Sequence, residues 1–469
     1  FDLFRKREEP MTTQTVLLVL VGYMAAMYAI SRAARGRSDS FQQTIAAPGQ
    51  TPVLLLMASA IGGQIGSGFV MGGAEYGVRY GLSGAWYGIG CGVSYFVTAA
   101  LAGFIHRRQM VSLSDYFAQR YSGLAPRLIY SVTGSISTVA LLAGQLLAGK
   151  AVFATVGLPE QWGVAVTAVA ALLYANRAGL WGMMAVSPVH TTTIFLGMSA
   201  ALAFFFWEEG ALLLTQSLPP EQFQPLSCGG EQIFSMAGPI VLASAVNQIA
   251  FQSVTSAKTA RTARIGYLAA GILLIPIAFI PPVIGMFGHV LLGEIPAEQV
   301  FTALLLGRLP AAIAGVILAA ILCAVMTSCN GAYIAVGTNV VHDIYKGMLR
   351  PQADSKTCQR LMFLVDGVVC AVGILLALAM NDIIQVLSMG YSLMAAGCLV
   401  PFLGGMAWKW GAGQDALTSA VVGMGAYLAH ATGVVELPYA SLSAILLSAG
   451  AYVLSALVRC RLRKQRTGA

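Results

Sequence analysis

Charge is what this chain has least of. Only 10% of its 469 residues are Asp, Glu, Lys or Arg, against about 25% in soluble globular proteins. A water-soluble domain is excluded: 57% of the chain is hydrophobic, and apolar runs near the about 20 residues that span a bilayer recur throughout. Cysteine is sparse and scattered. Cys91, Cys228, Cys323, Cys329, Cys358, Cys370, Cys398 and Cys460 form no C-x-x-C pair, which excludes a disulfide framework and a zinc site. No nucleophile–base pair or cofactor motif is present, so an enzyme is not expected. No cleavable signal sequence is expected either. FDLFRKREEP is polar and precedes Met11; residues 1–11 read as a polar N-terminal segment, and the expectation is that Met11 begins the natural chain and that the residues before it are an appendage. The net charge of +8 sits in short loops between apolar runs, where it signals topology rather than nucleic acid.

What is present reads as thirteen spans, over about 12–31, 51–78, 82–106, 124–156, 160–178, 187–208, 234–254, 263–291, 310–343, 359–380, 382–408, 413–432 and 438–459. One set of loops holds Arg32, Arg35, Arg37, Arg107, Arg108, Arg120, Arg127, Arg177, Lys258, Arg261 and Arg264. It continues with Lys346, Arg350, Lys356, Arg360 and Lys409, and ends with Arg459, Arg461, Arg463, Lys464 and Arg466. The other side has only Arg5, Lys6, Arg7, Arg79, Lys150 and Arg308. Basic loops stay in the cytoplasm, so the N-terminus is expected outside and the basic tail 460–469 inside, in the plasma (inner) membrane.

Two spans are interrupted. Ala58–Gly73, ASAIGGQIGSGFVMGG, carries six glycines, each costing a helix about 1 kcal/mol relative to Ala. Small residues also let membrane helices pack closely, a role open to Gly72 and Gly73. Five spans later, FSMAGPIVLASAVNQIAFQSV has Gly238-Pro239 and three amides, Asn247, Gln248 and Gln252. Interrupted helices at matching positions of two halves point to an inverted-repeat transporter with its site at the membrane midplane. The halves are 51–208 and 234–408, with an extra helix before them (12–31) and two after (413–459). A third element, Thr327-Ser328-Cys329-Asn330, is polar within an apolar span; neutral hydroxyls are oxygen ligands for a small hard cation.

These motifs resemble the sodium/solute symporter family of proline, galactose and sialic acid carriers. ASAIGG is similar to its first broken helix and AVNQIAFQSVTSAKTARTA to its second. AVMTSCNGAYIAVGTNVVHDIYK resembles the helix ending in an Asp-Ile-Tyr signature, and IIQVLSMGYSLMAAGCLVPFLGGMAWKW a late helix of the family. The resemblance covers about 51–425. It implies an all-α polytopic membrane protein with an inverted five-plus-five helix repeat and a leucine-transporter-like core. It further implies a sodium ion held by the carbonyls of Ala58, Ile61 and Ala324 and the hydroxyls of Thr327 and Ser328. The matching solute contacts are Gln64, Ser67, Trp86, Asn247, Gln248 and Gln252.

The chain departs from relatives in having Ala60 and Ser187 where an Asp occurs, Ala85 where sugar carriers place an acid, and His190 where Gln is common. One sodium ion per solute and a non-sugar substrate are therefore expected. Glu75 and Arg79, one helical turn apart, read as a pair; Asp366 and His190 are ionisable residues at membrane depth. The expected function is sodium-coupled uptake of a small polar organic solute, preferably an amino acid or organic carboxylate. Proton-coupled or uncoupled transport on the same fold, and a membrane solute sensor, are the alternatives.

Overall fold

The computed structural model describes residues 10–33, 41, 45, 49–408 and 411–467. Residues 1–9 of the polar segment, Arg35, Arg37, Lys409 and the last two residues of the basic tail lie outside the described residues. The extra N-terminal helix is α1 (Pro10–Ala33). The first interrupted span follows as α2 (Val53–Gln64), a π-helical turn over Gly68–Gly72 and α3 (Gly73–Tyr80). Then come α4 (Trp86–Arg108), the short α5 (Leu113–Tyr121), α6 (Leu124–Thr155), α7 (Glu160–Glu208) and the short α8 (Gly210–Ser217).

The second interrupted span is α9 (Gly230–Ala243) and α10 (Gln248–Ser256). A bend of 52° separates the two parts. After it run α11 (Ala260–Ile277), α12 (Ile280–Leu292), the short α13 (Val300–Arg308) and α14 (Ala311–Gly337). A π-helical stretch, Thr338–Leu349, prolongs α14. The chain ends with α15 (Ser355–Ala379), α16 (Ile383–Met394), α17 (Val400–Ala407), α18 (Gly413–Ala431) and α19 (Ala440–Thr467).

Among the described residues nine helices are long and apolar enough to cross a membrane, ten if the bent pair counts as one span. Three of the thirteen expected spans account for the difference. The span over 51–78 is divided, and its second half runs on into the next. The one over 160–178 supplies only a shorter apolar helix, Glu160–Leu173, within α7. The one over 413–432 forms α18, but Gln414, Asp415, Thr418, Ser419 and His430 lower its hydropathy.

The centre is built from α2, α6, α7, α14 and the two interrupted spans. Helix α14 packs against α7, α6 and α1, while α4 packs against α11 and α9. An intimate approach joins α3 to α12. A Cβ on Gly77 would overlap the carbonyl of Pro282, and a Cβ on Gly285 would overlap the carbonyl of Ala74. The two backbones therefore touch, as small residues permit in membrane bundles. Gly77→Ala is expected to force them apart and destabilise the protein by about 1–3 kcal/mol. A lowered Tm of the purified protein would show this, and an unchanged Tm would count against the contact.

Candidate functional site

The first break falls later than its glycines suggest. Helix α2 stays regular through Gln64, and the chain leaves helical geometry at Ile65. Gly62 remains helical because α7 presses against it: a Cβ there would lie 2.9 Å from both His190 Nε2 and Thr191 Oγ1. Groups freed at the break find partners at Gln145 on α6, whose Oε1 accepts from Ser67 N and Ser67 Oγ, each at 3.1 Å. Ser67 Oγ also donates to the Gly144 carbonyl at 2.9 Å. Backbone groups unwound inside a bilayer need such protein partners. The second break is capped differently: Asn247 Oδ1 accepts from Ile249 N (2.9 Å) and Ala250 N (3.2 Å) at the start of α10.

Between the breaks lies a cavity of about 100 Å³. Gln64, Asn247, Thr327 and Ser328 line it, as do Gln145 and the tyrosines Tyr95, Tyr267 and Tyr391. Tyr95 and Tyr267 meet edge to face at 5.2 Å, and the Tyr95 hydroxyl donates to the Ala60 carbonyl. No Asp, Glu, Lys, Arg or His is among its lining residues. Recognition here depends on amides, hydroxyls and aromatic faces.

Oxygen atoms concentrate where α2 meets α14. Ser328 Oγ donates at 3.1 Å to the Gly63 carbonyl on α2 and at 3.1 Å to the Ala324 carbonyl on its own helix. Thr327 Oγ1 donates to the same Ala324 carbonyl at 2.8 Å. The Ile61 carbonyl accepts from Ile65 N at 2.8 Å, and the Ala58 carbonyl accepts from Thr191 Oγ1 at 3.4 Å. Each carbonyl has a second lone pair, so these bonds do not exhaust them. Such neutral, hard donors suit an alkali cation.

Four expected solute residues are held elsewhere. Ser67 is fully buried and bound to Gln145 and Gly144. Trp86 opens α4, and its indole N–H donates to the Pro225 carbonyl at 2.7 Å. Gln248 accepts from Leu113 N (2.8 Å) and donates to the Val111 carbonyl (3.1 Å), tying α10 to the segment before α5. Gln252 donates to Thr338 Oγ1 at 3.0 Å. Only Gln64 and Asn247 of the six reach the cavity. Gln145 was missed, although an amide inside the span over 124–156 carries the same signal as Asn247.

Two polar clusters stand outside this cavity. At one, Arg79 binds Glu75 (2.6 Å) and Asp382 (2.8 Å), so the expected Glu75–Arg79 pair forms and also reaches α16. At the other, the fully buried Asp343 accepts from Ser112 Oγ (2.7 Å) and contacts His342 Nδ1 (2.9 Å). Arg127 bridges Asp115 (2.6 Å) and Asp343 (3.8 Å). Asp115, His342 and Asp343 stand close enough to ligate a metal, but the Arg127 guanidinium already supplies the positive charge among them. Asp366 Oδ1 and both ring nitrogens of His190 are buried and have no hydrogen-bond partner among the described residues.

Known proteins align with this arrangement. A Na⁺-coupled sialic acid symporter in a substrate-bound outward-open state superposes with a TM-score of 0.79 at 16% identity, covering 95% of this chain and 97% of its own. MhsT in complex with L-phenylalanine gives 0.57, with 12% identity and coverage of 86% and 98%. Mhp1, a nucleobase-cation-symport-1 family transporter in a closed conformation with bromovinylhydantoin bound, gives 0.58 at 13% identity, covering 90% and 96%. These likenesses establish the leucine-transporter-like fold. No curated protein matches in sequence. The sodium:solute symporter family matches residues 44–423; the chain belongs to that family, as a multi-pass membrane transporter with Na⁺ as its coupling ion and not as an enzyme.

Proposed function

We propose that this transporter carries one small polar organic solute into the cell with one sodium ion, by alternating access. The ion is held by the carbonyls of Ala58, Ile61 and Ala324 and the hydroxyls of Thr327 and Ser328. The observation that carries this reading is the Ser328 hydroxyl, which spans α14 and α2 through Ala324 and Gly63. A cation taking the place of those hydrogen bonds, with each hydroxyl keeping its proton and turning it away, would draw the two helices' oxygens onto itself and fix α2 against α14. That stabilises one arrangement of the bundle over the other, and so biases the two-state equilibrium.

The solute lies between Gln64 and Asn247. With no basic residue in the lining, the positive potential available there comes from the α10 N-terminus and from the bound ion. Both favour an amino acid or organic carboxylate. The distribution of basic loops supports an Asp343 cluster that faces the cytoplasm and an Arg79 cluster that faces the outside.

Thermal unfolding in NaCl against KCl, followed by gradient-driven uptake of a panel of amino acids and organic acids into proteoliposomes, tests the proposal. Stabilisation and uptake are expected with sodium; uptake driven equally by a pH gradient without sodium would overturn it. Asn247→Ala is expected to lower stability by about 0.5–2 kcal/mol, the cost of a lost N-cap, and to weaken binding of the solute so identified. Normal solute affinity in that variant would remove Asn247 from the site.

A further inference from the structure

The cavity around the proposed ion and solute is not the largest in the protein. A second one, of about 510 Å³, lies between α1, α7 and α14, within the about 300–1,000 Å³ usual for small-molecule sites. Its walls are apolar except at a few atoms. Met24 and Met27 of α1 and Met326 of α14 contribute to them, and methionine's unbranched thioether adapts to flexible apolar ligands. Thr327 borders this cavity as well as the central one. Thr327 is thus the residue common to the linings of the two.

We propose that this cavity binds an acyl chain of a membrane phospholipid, and that its occupancy is linked to cation binding through Thr327. All three bounding helices contain membrane-crossing segments or apolar helix. The cavity is continuous with the surface that lipid covers: Val21 and Leu173 line it and are 64% and 58% exposed. Tyr28 borders it too, and Arg32 follows Tyr28 by one helical turn in the sequence. An anionic headgroup is attracted to such a basic, membrane-flanking stretch. The adjacent hydrocarbon thus favours the chain, and the charge favours the head. The link to the cation rests on the proposed ion site; the lipid site itself does not.

The test reconstitutes the full chain in nanodiscs of phosphatidylglycerol bearing a diazirine in the acyl chain, with adducts mapped by mass spectrometry after irradiation. Ala25 lines the cavity and is exposed, so Ala25→Trp fills it with little disturbance of the core. Adducts at Met24, Leu173 or Met326 are expected in the wild type, falling at least fivefold in Ala25→Trp. The sodium concentration for half-maximal thermal stabilisation is expected to shift at least threefold in the same variant. No adduct in the wild-type cavity overturns the lipid site, as does a dimer in solution that buries these residues without an adduct. Adducts as expected with an unmoved sodium half-saturation overturn the link. A wild type indifferent to sodium strikes the ion reading instead and leaves the adduct measurement standing.

Discussion

Thr327→Ala combined with Ser328→Ala is expected to raise the sodium requirement at least tenfold while the protein still inserts and folds. Hydrogen-bonding groups that act on a charge contribute about 1.5–3 kcal/mol each, and about 1.4 kcal/mol is a factor of ten in affinity. Losing two ligand hydroxyls therefore exceeds tenfold even if water replaces part of the coordination. Ser328→Ala also removes the donor that reaches the Gly63 carbonyl, so α2 and α14 lose their hydrogen-bonded bridge at this point. Thermal shift across a NaCl titration, at constant ionic strength with KCl, reads the change. Thr327→Ser keeps the hydroxyl and should stay near wild type. An unchanged sodium dependence in the double variant would place the ion elsewhere.

Asp343→Ala should have the largest effect on stability. Its carboxylate is fully buried and serves Ser112, Ser131, His342 and Arg127. Deleting one partner of a buried ion pair costs about 3–5 kcal/mol, because the remaining charge keeps its desolvation penalty. Arg127 would retain Asp115, so the loss falls towards the lower end of that range. The cluster joins α5, α6 and the stretch after α14, and its rupture is expected to favour the state open at this end. A cysteine introduced at Thr138, which lines the central cavity, should then react faster with a charged thiol reagent applied from the cytoplasmic side. Equal Tm and equal labelling would show that this cluster does not hold the end closed.

Much of the fold was legible because membrane insertion imposes coarse rules. Apolar length located the helices, and glycine density found the first interruption. The position of the break was not legible: glycine lowers the cost of leaving a helix without showing where the neighbours require it. Gly62 and Gly63 stay helical, whereas Ile65 departs, because α7 needs the room at Gly62 and Gln145 receives the chain at Ser67.

The amide trio shows the same limit at the site. Asn247 is the N-cap, so Gln248 and Gln252 share a helical face four residues apart, and that face is bound to Val111, Leu113 and Thr338 rather than turned to the cavity. The spacing of Gln248 and Gln252 contained this information once the start of α10 was known. For Trp86 no local pattern sufficed. Its partner, the Pro225 carbonyl, comes from a distant segment.

The backbone contact between α3 and α12 gives the broken helix a mechanical meaning. One half, α2, is pressed to α7 at Gly62, while the other is seated on α12 through Gly77 and Gly285. The two halves are thus held by different neighbours, and Ile65–Gly66 is the fulcrum between them, a short segment of the kind that can absorb a change of dihedral angles. Every α2 oxygen assigned to the cation lies on the α7 side of that fulcrum. Glu75 and Arg79 lie on the α12 side. A change of dihedral angles at Ile65–Gly66 would therefore move the Arg79 cluster without displacing the α2 oxygens proposed for the cation.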